Sequence, residues 1–192
     1  MPLDEHSGLL DQRRLIEILE CQVAILISLY KEQKMQTEDD GRNDFDFLIG
    51  TWKMHHRRLK ERLKGSTEWE EFEGTAVGKK LLDGLGHCDE VIMNRQTGPA
   101  HGFTLRLFDV KSREWSIYWA AGTSGILDVP MVGGFKDGVG EFYSQEVYEG
   151  QHIFCRFTWS KITANSCQWE QAFSIDGGRT WETNWMNTFE RA

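Results

Sequence analysis

Asp46-Phe47-Leu48-Ile49-Gly50-Thr51-Trp52, running on into Lys53-Met54-His55-His56-Arg57-Arg58, is the stretch whose reading decides the fold. Gly50 lets the backbone turn sharply and Trp52 favours extended structure, so the stretch reads as a tight entry into a first β-strand. Far downstream, Thr183-Asn184-Trp185-Met186-Asn187-Thr188-Phe189-Glu190-Arg191 reads as a last strand ending in Arg. Between the two lie short segments rich in Trp, Phe, Val, Ile and Thr, broken by Gly, Asp and Asn, with no helical periodicity. Ten strands are predicted, centred near residues 52, 71, 90, 105, 117, 133, 143, 156, 170 and 186. Their spacing suits an up-and-down antiparallel barrel or a sandwich. Lys136-Asp137-Gly138, Glu149-Gly150 and Asp176-Gly177-Gly178 supply the positive-φ residues that hairpins need. Val129-Pro130-Met131-Val132-Gly133-Gly134 is irregular yet apolar, and is expected at a rim as a lid.

Upstream, residues 9–35 read as one long helix. Ile16, Leu19, Val23, Leu26 and Tyr30 recur by three and four, the seam of a heptad repeat, while Leu15, Ile18, Ile25, Ile27 and Leu29 widen the apolar surface. A helix apolar over so much of its girth has to be covered on several sides. It packs on its own barrel or pairs with the same helix of a second subunit, and a homodimer is the favoured expectation. Residues 36–43 are polar and broken by Gly41, which makes a linker. The division is therefore a helix and linker over 1–43 and a β-barrel over 44–192.

At 192 residues the chain has room for one sizeable core and an appendage. Its net charge of −8 disfavours nucleic acid and anionic membrane as partners. The longest apolar run, residues 23–29, is far below the ~20 residues of a membrane span. Asp4, Glu5 and Asp11 stand where a signal peptide needs a basic and then apolar start, so a cytoplasmic location is expected. Cys21, Cys88, Cys155 and Cys167 form no Cys-x-x-Cys pair and read as buried free thiols.

Strand parity then sorts the side chains, since neighbours on a strand face opposite ways. With Trp52 and Arg191 inward, Met54, His56 and Arg58 follow on the first strand. On the last, Trp181, Thr183, Trp185, Asn187 and Phe189 face in, while Glu182, Asn184, Thr188 and Glu190 face out. The apolar parity elsewhere is Phe103, Leu105, Leu107, Trp115, Ile117 and Trp119, then Ile153, Cys155, Phe157 and Trp159, then Trp169, Gln171 and Phe173. A bulge would reverse any of these beyond it. The interior so described is aromatic, with a few polar groups, which suits a small-molecule pocket.

Several clusters invite chemistry. His55-His56 cannot share a metal, because strand neighbours diverge. His87-Cys88-Asp89-Glu90 splits into His87 with Asp89 and Cys88 with Glu90, with no third ligand at a useful spacing. Ser174-Ile175-Asp176-Gly177-Gly178-Arg179-Thr180-Trp181 matches the Asp-box pattern of sialidase propellers, but it occurs once and reads as a hairpin device. Glu68, Glu70, Glu71 and Glu73 read as a solvated strand face. No Ser-His-Asp order, phosphate loop or nucleotide fingerprint is legible. No metal site is expected.

The Gly-x-Trp opening with an Arg on the closing strand resembles the calycin, or lipocalin-like, barrels. The resemblance implies that the Arg lies over the Trp ring and that the pair seals the barrel floor, a cation–π contact worth roughly 0.5–2 kcal/mol. Residues 47–52, Trp115-Ser116-Ile117-Tyr118-Trp119, Gly138 to Tyr143 and Trp169 to Phe173 through Trp185 resemble an uncharacterised bacterial family of calycin-like domains spanning roughly residues 44–191. More distantly, the opening and the strand count resemble nitrobindin, whose haem iron is held by a His near the C-terminus. No His follows His152 here, so neither haem nor any other cofactor is expected.

The expectation is thus a ten-stranded antiparallel calycin-like barrel behind one long N-terminal helix, holding a small, largely apolar or aromatic molecule. Candidate ligand contacts are His56, Arg58, Trp119, Trp159, Gln171, Trp185 and Asn187, with Arg58 suited to an anionic group. Two other readings stay open. One is a cofactor-free isomerase, cyclase or dehydratase of a secondary metabolite with His56 as its acid or base, which needs a second titratable group within reach of His56. The other is an oligomeric interaction protein whose barrel is solidly packed.

Overall fold

A computed structural model describes residues 14, 16–29 and 40–192. The chain falls into two compact units that meet between Asp39 and Asp40. In the first, residues 16–29 are helical, and Ile16, Leu19, Val23 and Leu26 are all about half exposed. The rest of the predicted 9–35 helix lies outside the described residues. Among the described residues no helix is long and apolar enough to cross a membrane.

The second unit opens with a 3-10 turn, Asp46–Leu48, and continues through β1 (Gly50–Leu59), β2 (Trp69–Leu81), β3 (Gly86–Arg95), β4 (Gly98–Asp109) and β5 (Glu114–Ala121). It goes on through β6 (Met131–Lys136), β7 (Val139–Tyr148), β8 (Gln151–Ser160), β9 (Ser166–Ser174) and β10 (Glu182–Arg191). Each strand pairs antiparallel with the next, and β10 returns to β1, so all ten form one closed barrel. Every expected strand is present. Closure leaves no free sheet edge, which satisfies the backbone groups that an open sheet would expose.

The seam between β1 and β10 sets Trp52 opposite Arg191. The Arg191 guanidinium sits 4.2 Å from the Trp52 ring centroid and donates to the carbonyls of Phe47, Ile49 and Ala164. Trp52 Nε1 donates to the Leu48 carbonyl at 3.0 Å. Gly50 has φ +108°, and a Cβ there would come within 2.9 Å of Arg191 Nη1, so the first strand needs its glycine for both turn and clearance. Phe45, 1% exposed, stands on this floor and meets Trp115, Phe135, Phe142 and Trp159 ring to ring. Asp40 to Asn43 belong to the barrel unit, where the Gly41 carbonyl accepts from Trp115 Nε1.

Alternation holds as expected along β1, β5, β8 and β9: Trp52, Met54, His56, Trp115, Ile117, Ile153, Cys155, Trp159 and Phe173 are buried. It fails on β4. Gly102, Thr104, Arg106 and Phe108 point inward, while Phe103, Leu105 and Leu107 lie on the outer face. Register decides this, because Thr104 stands opposite Asp89 and Arg106 opposite His87, and the interior here is polar rather than apolar. A register shift between Thr183 and Trp185 also buries Asn184, which parity had placed outside. Trp181 precedes β10 and lies outside the barrel, 6.2 Å from the Tyr143 ring and 4.5 Å from the Arg156 guanidinium. Of the expected lid stretch, Met131 onward is β6; the irregular crossing is residues 122–130. Cys155 and Cys167 are buried thiols, but Cys21 is exposed and Cys88 only partly covered.

The Asp-box segment is a hairpin clamp. The Asp176 carboxylate accepts from the Arg179 and Thr180 backbone amides and from the Thr180 hydroxyl, which holds its pKa down. The acidic run mostly faces solvent, with Glu71 on Arg57, Glu68 on Lys60 and Glu73 on His55.

Candidate functional site

Above the aromatic floor the barrel is hollow, with a cavity of about 310 Å³. That volume sits at the lower end of the roughly 300–1,000 Å³ common for ligand pockets. All seven residues read from the sequence line it: His56 and Arg58 from β1, Trp119 from β5, Trp159 from β8, Gln171 from β9, and Trp185 and Asn187 from β10. Asp128 and Val129 of the 122–130 crossing also line the cavity while remaining solvent-exposed, and so mark its mouth. The crossing is pinned by the Asp128 amide on the Trp119 carbonyl (2.8 Å) and by an Ala120–Leu127 bridge. A Cβ at Gly102 would run into the Trp119 indole, so a bare backbone on β4 gives that ring its place in the wall.

The cavity base carries a polar network in which His87 and Asp89 share a face, as alternation predicts, and of which the sequence reading missed Thr104 and Arg106. Asp89 is 6% exposed and accepts from Thr104 Oγ1 at 3.1 Å and from Arg106 Nη1 in a short ion pair. Arg106 Nη1 also lies 3.0 Å from His87 Nδ1, and its guanidinium covers the Phe45 and Trp159 rings. Because Arg can only donate, His87 Nδ1 must accept and the ring is neutral. Burial first, and then Arg106 and Lys80, push the His87 pKa down to about 3. The network is not fully satisfied, since Arg106 Nε and His87 Nε2 are buried without a partner among the described residues.

His56, 1% exposed, stacks on Phe72 at 4.6 Å and 15°. Among the described residues neither ring nitrogen has a hydrogen-bond partner. Asn187 falls short of an ordinary bond to the ring yet favours its charged form, which partly offsets the burial that brings its pKa to about 4. An acid–base pair needs a second titratable group in hydrogen-bond reach, and no such group bonds to His56. Its neighbour His55 faces outward to Glu73 at 2.8 Å, so the two rings share no ion. Gln171 is held in place by donating Nε2 to Asn184 Oδ1 at 2.8 Å.

Near the mouth the charges are different. Arg62, beyond the end of β1, is 8% exposed and lines the cavity. Its guanidinium lies 5.5 to 5.9 Å from the rings of Phe173, Trp185 and Tyr148. It has no ion pair among the described residues, and its Nη2 is buried without a partner. Arg58 stands 4.9 Å from the Trp185 ring and 3.8 Å from Glu70, a carboxylate that Arg95 holds more closely at 2.6 Å. Arg62 was passed over because it lies past the end of β1 at Leu59, beside Leu63 with φ +60°, where strand alternation is not expected to continue. Its even-numbered step from Trp52, Met54, His56 and Arg58 was the available signal. Thr183, also expected inside, does not line the cavity.

No model of a known protein family matches the chain, and no curated protein matches it in sequence. Solved structures do match. Similar in fold are the S-type phycobiliprotein lyase CPES from Guillardia theta (TM-score 0.54, 9% identity, 80% of this chain and 95% of that one) and Rv2717c from M. tuberculosis (TM-score 0.54, 11% identity, 79% and 97%). Both are calycin-like ten-strand barrels. The fold is calycin-like. At such identities the likeness is one of architecture.

Proposed function

We propose that this calycin-like barrel is a binding protein for a small, largely apolar or aromatic molecule held in the cavity. One observation carries the reading: the interior is hollow, and buried polar atoms on its wall lack partners. Trp159 Nε1, Trp185 Nε1, Arg58 Nε, Asn187 Oδ1 and both nitrogens of His56 are all unpaired. Native proteins satisfy most buried polar groups, and a cavity ringed by unsatisfied ones suits a guest that bonds to them. Trp119, Trp159 and Trp185 give such a guest its contact area, and His56, Arg58, Gln171 and Asn187 orient it. The packed-barrel reading has no support in a hollow interior, and nothing bonded to His56 favours an enzyme.

Assembly enters as part of the same proposal. The half-exposed apolar girth of residues 16–29 favours a homo-oligomer joined through the N-terminal helix.

Native mass spectrometry of protein purified from a cell extract, intact and then denatured, tests both parts. A discrete extra mass that leaves on denaturation, on a species of two or more subunits, is the expected result. An apo mass, joined to a failure of apolar fluorescent probes to enter, would sink the binding reading. A monomer would sink the assembly.

A further inference from the structure

The orphaned cation near the mouth says more about the guest than the aromatic walls do. Arg62 is more than nine-tenths buried, makes no hydrogen bond among the described residues, and has its guanidinium among three aromatic rings. Burial, followed by the nearby Arg58, lowers its pKa to about 10, still well above neutrality, so the charge is kept. A guanidinium buried without a counter-ion is strongly disfavoured unless something anionic meets it. Arg106 makes the contrast within the same cavity: it is as buried as Arg62, but Asp89 neutralises it. The cation at the cavity base is therefore paired, whereas the one near the mouth has no counter-ion among the described residues. Asp128 and Glu146 also line the cavity, but neither forms an ion pair with Arg58 or Arg62.

We infer that the guest is an amphipathic organic acid, its carboxylate held in the cavity by Arg62 with help from Arg58 and its apolar or aromatic body directed toward the base. The planar fork of a guanidinium matches a carboxylate with two parallel N–H···O bonds, and the flanking rings hold the fork in place. The orientation follows from the chemistry of the two ends: a second anion beside Asp89 would be repelled, whereas Phe189, Met54 and Ile117 accept an apolar body. This inference rests on the binding reading above and gives it a chemical class.

Isothermal titration with two matched pairs, benzoate against benzamide and 2-naphthoate against 2-naphthamide, separates charge from shape. Hydrogen bonds to a charged group are worth about 1.5–3 kcal/mol, so the acid of a pair is expected to bind at least about tenfold more tightly than its amide. Arg62→Gln is expected to bring the acid down to the affinity of the amide and to leave the amide unchanged. Arg58→Gln is expected to reduce the preference without erasing it, and serves if the first variant fails to fold. The ratio of acid to amide is the readout, because a purely structural loss would weaken both partners alike. Equal binding of acid and amide to the unaltered protein would overturn the inference and leave the binding reading standing. A preference that survives both substitutions would overturn the assignment to these arginines. Binding of neither pair would overturn inference and reading together.

Discussion

At the closed end of the barrel aromatic rings pack against one another; at the open end they pack against arginines. Phe45 meets Trp115, Phe135, Phe142 and Trp159 at centroid distances of 5.0 to 6.0 Å, and Trp52 is sealed under Arg191, whose three donors all reach backbone carbonyls. Tyr148, Phe173 and Trp185 surround Arg62 in a comparable way, yet that guanidinium reaches no acceptor among the described residues. The same residue types thus serve two purposes. Where the arginine's donors are filled by the protein, the arrangement is a closure; where they are left open, it suits the anion proposed above. The difference lies in the backbone carbonyls of Phe47, Ile49 and Ala164, which crowd one end and have no counterpart around Arg62.

The sharpest way to break this comparison is to remove one tryptophan from each end. Trp52→Ala empties a fully buried site and is expected to cost about 3–5 kcal/mol, read from urea unfolding. Trp185→Ala opens a wall that is already hollow on one side, and about 1–2 kcal/mol is expected. Equal losses would mean that the two ends are built alike. Asp89→Asn probes the boundary between them. It leaves Arg106 buried and unpaired, as Arg62 already is, and is expected to cost about 3 kcal/mol or more, with Thr104→Val much milder.

A smaller effect tests how dry each region is. His56 and His87 have folded pKa values of about 4 and about 3, below the ordinary imidazole value of 6.5, and burial is the first cause for both. The unfolded chain therefore binds more protons than the folded one below pH 6.5, and stability falls as pH drops from there toward 4. Each ring contributes a slope of up to roughly 1.4 kcal/mol per pH unit. Urea midpoints at pH 7, 6 and 5 are expected to decline, and His56→Phe is expected to flatten part of that decline. If the midpoints stay level, water must reach both rings.

Much of this was legible in the residues. Gly50, Trp52 and Arg191 announced the seal, Asp-Gly and Glu-Gly pairs announced the hairpins, and period-two alternation on β1, β8, β9 and β10 placed the cavity walls. The largest failure has a plain physical reason, that alternation reports two faces without saying which is inner. On β4 the apolar set Phe103, Leu105 and Leu107 was taken for the interior, when Thr104 and Arg106 were needed there to meet Asp89 and His87. A pairing argument across β3 and β4 contained that answer. The irregularity at Thr183 that buried Asn184 left no such mark, and the position of Arg62 depended on a turn outside any strand.

The bond that closes the barrel also sets the order in which it can form. Nine of its ten strand pairs join neighbours in sequence, but the tenth joins β1 to β10, whose residues are the first and last of the barrel to be synthesised. Until β10 emerges, β1 has one bare edge, Trp52 has no cation above it, and the Phe47 and Ile49 carbonyls lack the donor that fills them. Loop-closure entropy makes so distant a contact slow to gain. The nascent chain thus carries an unpaired edge that can pair with other chains, and folding is completed when Arg191 arrives.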